Sequence, residues 1–468
     1  MLDISRQLLH ELNRGGIRYL HWKGNHHFKD GWNGTGDIDL LVHRDDESPA
    51  KGILKELNCI HAKTQRYRTH DHVEDWIGLD EPSGKLIHLH LHFEAVFGRE
   101  LVDEYTFVPY DLCFEESLLE DGCQIQNPVL EYLLLLCRIK TGDMTDPHKI
   151  AANRSYLTET ITNEEFYRIM NKLGLTENEI RLLRQTMLDD TVDMRLLHDT
   201  LNQWMKKNVR HAALESFRRK WIFYYTQRVK GRSLSFFSKK ALPNSGLLIA
   251  FIGQDGAGKS TVTDDTVQWL TWKLEARKFY LGNGEHYHSW QKSLRLKMPR
   301  NNPLCKMIAG MLAVSDLKAL AKKTRKTLAR AAKYAGRGGI AIFDRYPQTT
   351  YAGINDGPKI RENYLKKINN SVLRAYVSHC ADVEEKHLRQ AVRIVPNAVI
   401  KLILPPEESL RRKPEEDINR IIRKNEIIKN LAFENSEVIT IDAAQDYDSE
   451  LAAIKRFIWS CIRMAAAE

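Results

Sequence analysis

The sequence predicts an α/β protein in two parts: an N-terminal α+β segment with a helical cap, then a C-terminal doubly wound parallel sheet. Three observations carry that expectation. After Gly246 short apolar runs alternate with longer helical stretches, the pattern of a parallel sheet flanked by helices. A glycine-rich turn joins the first of those runs to a helix. Between about residues 125 and 228 apolar residues recur at helical spacing instead.

The 468 residues exceed one ordinary core and imply two or three domains. With 43% hydrophobic and 28% charged residues the chain is of globular, not disordered, composition. A formal net charge of +9 favours anionic partners. Seven cysteines without CxxC spacing argue against a disulfide framework or structural zinc and fit a reducing, cytoplasmic compartment. No signal peptide is expected at the N-terminus, and the longest apolar run, Tyr132 to Cys137, is far too short to span a membrane.

The expected boundaries are 1–120 for the α+β segment, 121–228 for the cap, 229–246 for a basic Gly/Ser/Pro linker and 247–468 for the parallel sheet. In the first segment YLHWKGN precedes GTGDIDLLV. Asp37 and Asp39, at i and i+2 of an apolar strand, share a face and are candidate Mg²⁺ ligands. LIHLHLHFE brings His88, His90 and His92 onto one face of another strand, as candidates for a softer ion such as Mn²⁺ or Zn²⁺. Glu94 continues that alternation and is a candidate third acid.

In the last segment Gly253-Gln254-Asp255-Gly256-Ala257-Gly258-Lys259-Ser260 matches GxxxxGK[ST] between a strand and a helix. The glycines let backbone N–H groups turn inward around phosphates, at the positive end of the helix that Thr261 continues. Lys259 can reach the β- and γ-phosphates and Ser260 can hold Mg²⁺, so ATP and Mg²⁺ are the expected cofactors. GGIAIFDRY ends a strand on Asp344, a second Mg²⁺ candidate, with Arg345 placed to clamp a phosphoryl group. AVIKLIL and EVITIDA complete the strands. Leu304, Met307, Ile308, Met311 and Leu312 form an apolar stripe followed by a run of Lys and Arg. That stripe is either core or a peripheral contact with an anionic membrane.

IGQDGAGKST, the DRY strand end, VIKLIL with PPEESLRRK, and VITIDA together resemble the thymidylate kinase family of P-loop phosphotransferases over about residues 246–465. The resemblance implies a basic lid beginning at Arg411, Arg412 and Lys413, with Arg420, Arg423 and Lys424 as further cations. It implies that Asp255 contacts or deprotonates the acceptor and that Asp442 and Ala443 lie near adenine. The acceptor side departs from the family: FYLGNGEHYHSW stands where it carries Arg-Glu-Pro-Gly, and PQTTYAGINDGP follows DRY. The first segment resembles the nucleotidyltransferase superfamily that includes DNA polymerase β, with Lys23-Gly24-Asn25 in place of its Gly-Ser turn. The combination is similar to fused proteins of bacterial surface-glycan gene clusters. It implies a phosphotransferase acting on a sugar or glycan-linked acceptor, with a nucleoside monophosphate kinase or an NTP-binding defence or regulatory protein as alternatives. Nucleic acid is not an expected partner, because no aromatic-and-basic binding signature is present. Oligomeric state has no signature in the sequence.

Overall fold

The computed structural model describes residues 1–64, 72–99, 103–107, 110–188, 194–230, 237–281, 290–299, 302–354, 356–412, 414–415 and 417–467. It divides into two compact units, Met1–Ser238 and Lys239–Glu468.

The first unit contains strands β1 Tyr19–His21, β2 Ile38–Val42, β3 Ile60–Ala62, β4 Val73–Asp80, β5 Lys85–His92, β6 Val96–Arg99, β7 Asp103–Thr106, β8 Leu118–Glu120 and β9 Cys123–Ile125. Seven of them form a mixed sheet in the order β3-β4-β5-β2-β1-β9-β8, and β6 and β7 form a separate hairpin. Period-two alternation sorts the residues of β2 and β5. Ile38, Leu40, Val42, Ile87, Leu89 and Leu91 join one core with helices Asp3–Arg14 and Glu47–Glu56. Asp37, Asp39, His88, His90 and His92 are left to the other face. The cap is built on helix Pro128–Thr141, whose residues from Pro128 to Leu135 are buried. The expected cap boundary at 121 shifts, because β9 pairs with β1 through His21 and Ile125 and belongs to the sheet.

The second unit contains β10 Leu248–Gly253, β11 Ala276–Phe279, β12 Ile340–Phe343, β13 Ala398–Ile403 and β14 Glu437–Asp442. All are parallel, in the order β11-β12-β10-β13-β14. The step from β10 to β11 runs opposite to the later steps, so right-handed crossovers place their helices on opposite faces. β11 reads ARKF and escapes a search for apolar runs, since its hydrogen-bond register, not burial, defines it. Part of the expected linker is integral to this unit: Lys240 bonds Lys273 and Glu275, and Leu242 bonds Gly338. Residues 231–236 of that linker lie outside the described residues.

The apolar stripe falls at the start of helix Pro303–Ala335, where Leu304 and Met307 are exposed; burial begins at Ala313. The core reading of its first turns is thereby corrected. Among the described residues no helix is long and apolar enough to cross a membrane.

Lys401 is a cation inside the buried strand β13. Its Nζ donates to the carbonyls of Lys429 at 2.9 Å and Leu431 at 2.6 Å, capping helix Ile418–Asn430. One side chain thus fixes the end of the helix that faces the site described below. Replacing it with Met strands the buried Leu431 carbonyl, at about 1–3 kcal/mol, while the part-exposed Lys429 carbonyl can turn to water. Chemical denaturation of Lys401→Met is expected to show a loss of about 2 kcal/mol.

Candidate functional site

The loop after β10 has the form that its glycines require. Gly256 and Gly258 take φ of 86° and 76°, left-handed values at which a side chain would be strained. Gly258 then caps helix Lys259–Leu270. Gln254 is buried and donates through Nε2 to the Leu404 carbonyl, which also accepts from Asn425 Nδ2 at 3.0 Å. The loop is therefore bolted both to the end of β13 and to helix Ile418–Asn430. Lys259 Nζ donates to the Gly253 and Gln254 carbonyls at 2.8 and 2.7 Å. Ala257 is buried, while Ser260 and Thr261 are exposed on the first helical turn.

A cavity of about 130 Å³ opens beside this loop. Its cations are Lys259, Arg345, Lys359, Arg420 and Lys424, and its acids are Asp255, Asp344 and Asp356. Ile354, Ile428, Leu431, Tyr346 and Phe433 supply apolar wall. Asp344 Oδ1 is buried without a hydrogen-bond partner among the described residues, and burial raises its carboxyl above the usual range. Burial, with Arg345 nearby, pushes the Lys259 ammonium down to about 8. Burial alone would raise Asp255, but the hydrogen bond and charge of Lys424 hold it at about 2. Arg345 stands 3.8 Å from Asp255 and 3.7 Å from Asp356, in loose contact with both.

Asp255, Lys259, Asp344 and Arg345 are thus brought together, and two expected contributors are not. Arg411 is exposed and turned onto Glu408. Arg412 bonds Glu408 and the carbonyls of Gly256 and Ala443, at 2.9, 3.2 and 3.4 Å. Neither lines the cavity; Arg420 and Lys424, one turn apart on the next helix, do. Lys413 and the stretch from 282 to 289 lie outside the described residues. Asp442, at the end of β14, accepts from the Ala444 N–H, and Arg412 links the following Ala443 to the glycine loop.

In the first unit Asp37 and Asp39 fall into separate groups that share His90: Asp37 with His88 and His90, and Asp39 with His90 and His92. Lys23 Nζ meets Asp39 Oδ1 at 3.3 Å. The carboxylate that meets these histidines beside Asp37 and Asp39 is Asp75 on β4, and not the expected Glu94. Asp75 Oδ1 meets His88 Nε2 at 3.0 Å and His90 Nε2 at 3.1 Å. Glu94 lies past the end of β5 and pairs with Arg210 at 3.0 Å. Burial disfavours the His90 cation, but Asp39 and Asp75 outweigh it and raise the group to about 9. Burial, then Lys23, lowers His92 to about 3. The signal for Asp75 is an acid that alternation places on the same face of VEDWIGLD as the apolar Ile77 and Leu79.

No protein-family model matches the chain. It is 24% identical to the uncharacterized ATP-binding protein YghR of Escherichia coli K12, over 45% of this chain and 86% of that protein. It is 23% identical to the uncharacterized ATP-binding protein YghS of the same strain, over 46% of this chain and 93% of that protein. Among solved structures, deoxyadenosine kinase from M. mycoides with bound dCTP aligns with a TM-score of 0.27 and 16% identity, over 45% of this chain and 98% of that one.

The Lys259 geometry sets a pH dependence. Without a ligand the ammonium loses its proton near pH 8, whereas a phosphate bound beside it would keep it protonated. Binding must then take up a proton above that pH, so affinity falls as pH rises. Titration with tripolyphosphate is expected to show a weakening that approaches about tenfold per pH unit above 8. Lys259→Arg, which stays charged, is expected to remove that step.

Proposed function

We propose that the second unit is an ATP-dependent phosphotransferase whose acceptor is a sugar or glycan-linked molecule carrying an anionic group. The carrying observation is the cavity, which the glycine loop, Lys259, Asp344 and Arg345 line together with Lys359, Arg420 and Lys424. The names of YghR and YghS as ATP-binding proteins support ATP as the donor. In this reading the donor phosphates lie in the glycine loop under Lys259. An acceptor oxygen attacks the γ-phosphorus in line, the bond to the β-bridging oxygen breaks, ADP leaves, and the acceptor proton passes to water. Lys259 and Arg345 stabilise the charge spread over the transferring group.

Ser260 and Asp344 would hold Mg²⁺; the unpartnered Asp344 oxygen fits a cation ligand. Bound Mg²⁺ would neutralise charge on the β- and γ-phosphates. Asp255, held at about 2, is too weak a base to take the acceptor proton. Its part is to position Lys424 and Arg345. Lys424, Arg420 and Lys359 supply charge for an anionic acceptor, and Ile428, Leu431 and Phe433 wall its uncharged portion.

A second reading, a nucleoside monophosphate acceptor, is favoured by one observation. Tyr346 and Phe433 line the cavity with ring centroids 6.4 Å apart, aromatic surface of the kind on which a base packs. ADP release with Mg-ATP, measured against nucleoside monophosphates and against sugars and glycan-lipid acceptors, separates the two. Release only with the second panel is expected. Release only with a nucleoside monophosphate would overturn the acceptor assignment. Lys259→Ala is expected to lower turnover at least about 100-fold, while Asp37→Ala with Asp39→Ala leaves it intact.

A further inference from the structure

We propose that Asp39, His90 and His92 of the first unit form a site for one divalent transition-metal ion of the Zn²⁺ or Co²⁺ type, not for Mg²⁺. Strand register assembles it. Asp39 of β2 lies opposite His90 of β5, and His90 lies opposite Asp75 of β4, so the three form one row across the sheet. His92 follows two residues along β5 on the same face. One ligand atom from each of Asp39, His90 and His92 lies within 4.8 Å of the others.

The separations suit coordination better than hydrogen bonding. His90 Nδ1 and His92 Nε2 approach the same oxygen, Asp39 Oδ1, at 3.2 and 3.3 Å. A charged hydrogen bond is about 2.7–2.9 Å. Donor atoms on a tetrahedral ion with bonds of about 2.0–2.1 Å stand about 3.3 Å apart.

The surrounding contacts are those of a metal ligand set. Asp75, itself buried, holds His90 Nε2 and leaves Nδ1 to face inward, the carboxylate–histidine arrangement that orients metal-bound imidazoles. His92 is 3% exposed and turns Nε2 to Asp39, while its Nδ1 has no hydrogen-bond partner among the described residues, so the orienting contact falls on His90 and not on His92. Two imidazoles and one carboxylate suit late first-row ions, whereas Mg²⁺ prefers oxygen donors. The neighbouring group of Asp37, His88 and His90 is a weaker candidate. There His88 Nδ1 meets Asp37 at 2.8 Å, a charged-hydrogen-bond distance, shorter than the spacing of donor atoms on an ion. Lys23, 3.3 Å from Asp39, is the cation that an incoming ion displaces.

The test is a titration of chelator-treated full-length protein with Co²⁺. One equivalent is expected to bind with the intense visible bands of four- or five-coordinate cobalt; Zn²⁺ is expected to compete and excess Mg²⁺ not to. His92→Ala is expected to weaken binding at least about 100-fold and Asp75→Asn about 10–100-fold. Lys23→Met is expected to tighten it, and this variant decides the matter if the histidine variant does not fold. A cobalt spectrum identical to the aqueous ion, binding indifferent to His92→Ala, or no tightening in Lys23→Met would overturn the site. Each of these would mark the row as an ion-pair network closed by Lys23.

Discussion

Everything in the second unit depends on β10 lying between β12 and β13. Ala250 pairs with Phe343, and Gly253 with Leu402, so the three strands end side by side. The loops that leave those ends therefore open into one crevice, the place where parallel α/β sheets bind ligands. The glycine loop leaves β10, Asp344 and Arg345 leave β12, and Leu404 leaves β13. Gln254 and Asn425 then share the Leu404 carbonyl, which ties loop, strand end and helix Ile418–Asn430 into one assembly. Lys401 holds the far end of that helix. A cation inside a strand is costly to bury, and here it is balanced by two carbonyls that the helix leaves unpaired.

Among the described residues five cations and three acids line this crevice, and the acids are not equivalent. Asp255 is ion-paired and kept strongly acidic by Lys424, whereas Asp344 is buried with an unpartnered oxygen and pulled the other way. Two carboxylates lining one cavity are thereby given different acidities by their surroundings. Lys259 is held by carbonyls of its own loop, which phosphate oxygens would replace with stronger partners.

What was legible in the sequence was local. The conformation of the glycine loop could be read because the strand, the turn and the helix are contiguous. Asp344 and Arg345 were legible for the same reason, as residues at the end of an apolar strand. The expected lid cations were legible only in part: Arg420 and Lys424 line the cavity, whereas Arg411 and Arg412 are turned by their helix onto Glu408. Helix phase relative to a distant loop is set by tertiary packing and has no local signal. In the first unit the alternation of Asp37 and Asp39, and of the three histidines, predicted a shared face. Asp75 was missed because its partner strand runs antiparallel, and the register that aligns it with His90 is decided by the turn at 80–85. β11 was missed because two basic side chains interrupt an otherwise short strand.

In the proposed function the second unit moves a phosphoryl group to an organic acceptor. The most direct measurement follows the γ-phosphate of labelled ATP incubated with the full-length protein and the combined acceptor panels. The account predicts label in an organic phosphate product, lost when Lys259 is replaced by Ala. Label recovered only as inorganic phosphate, whatever the acceptor, would contradict it and identify the crevice as that of an NTP-hydrolysing switch.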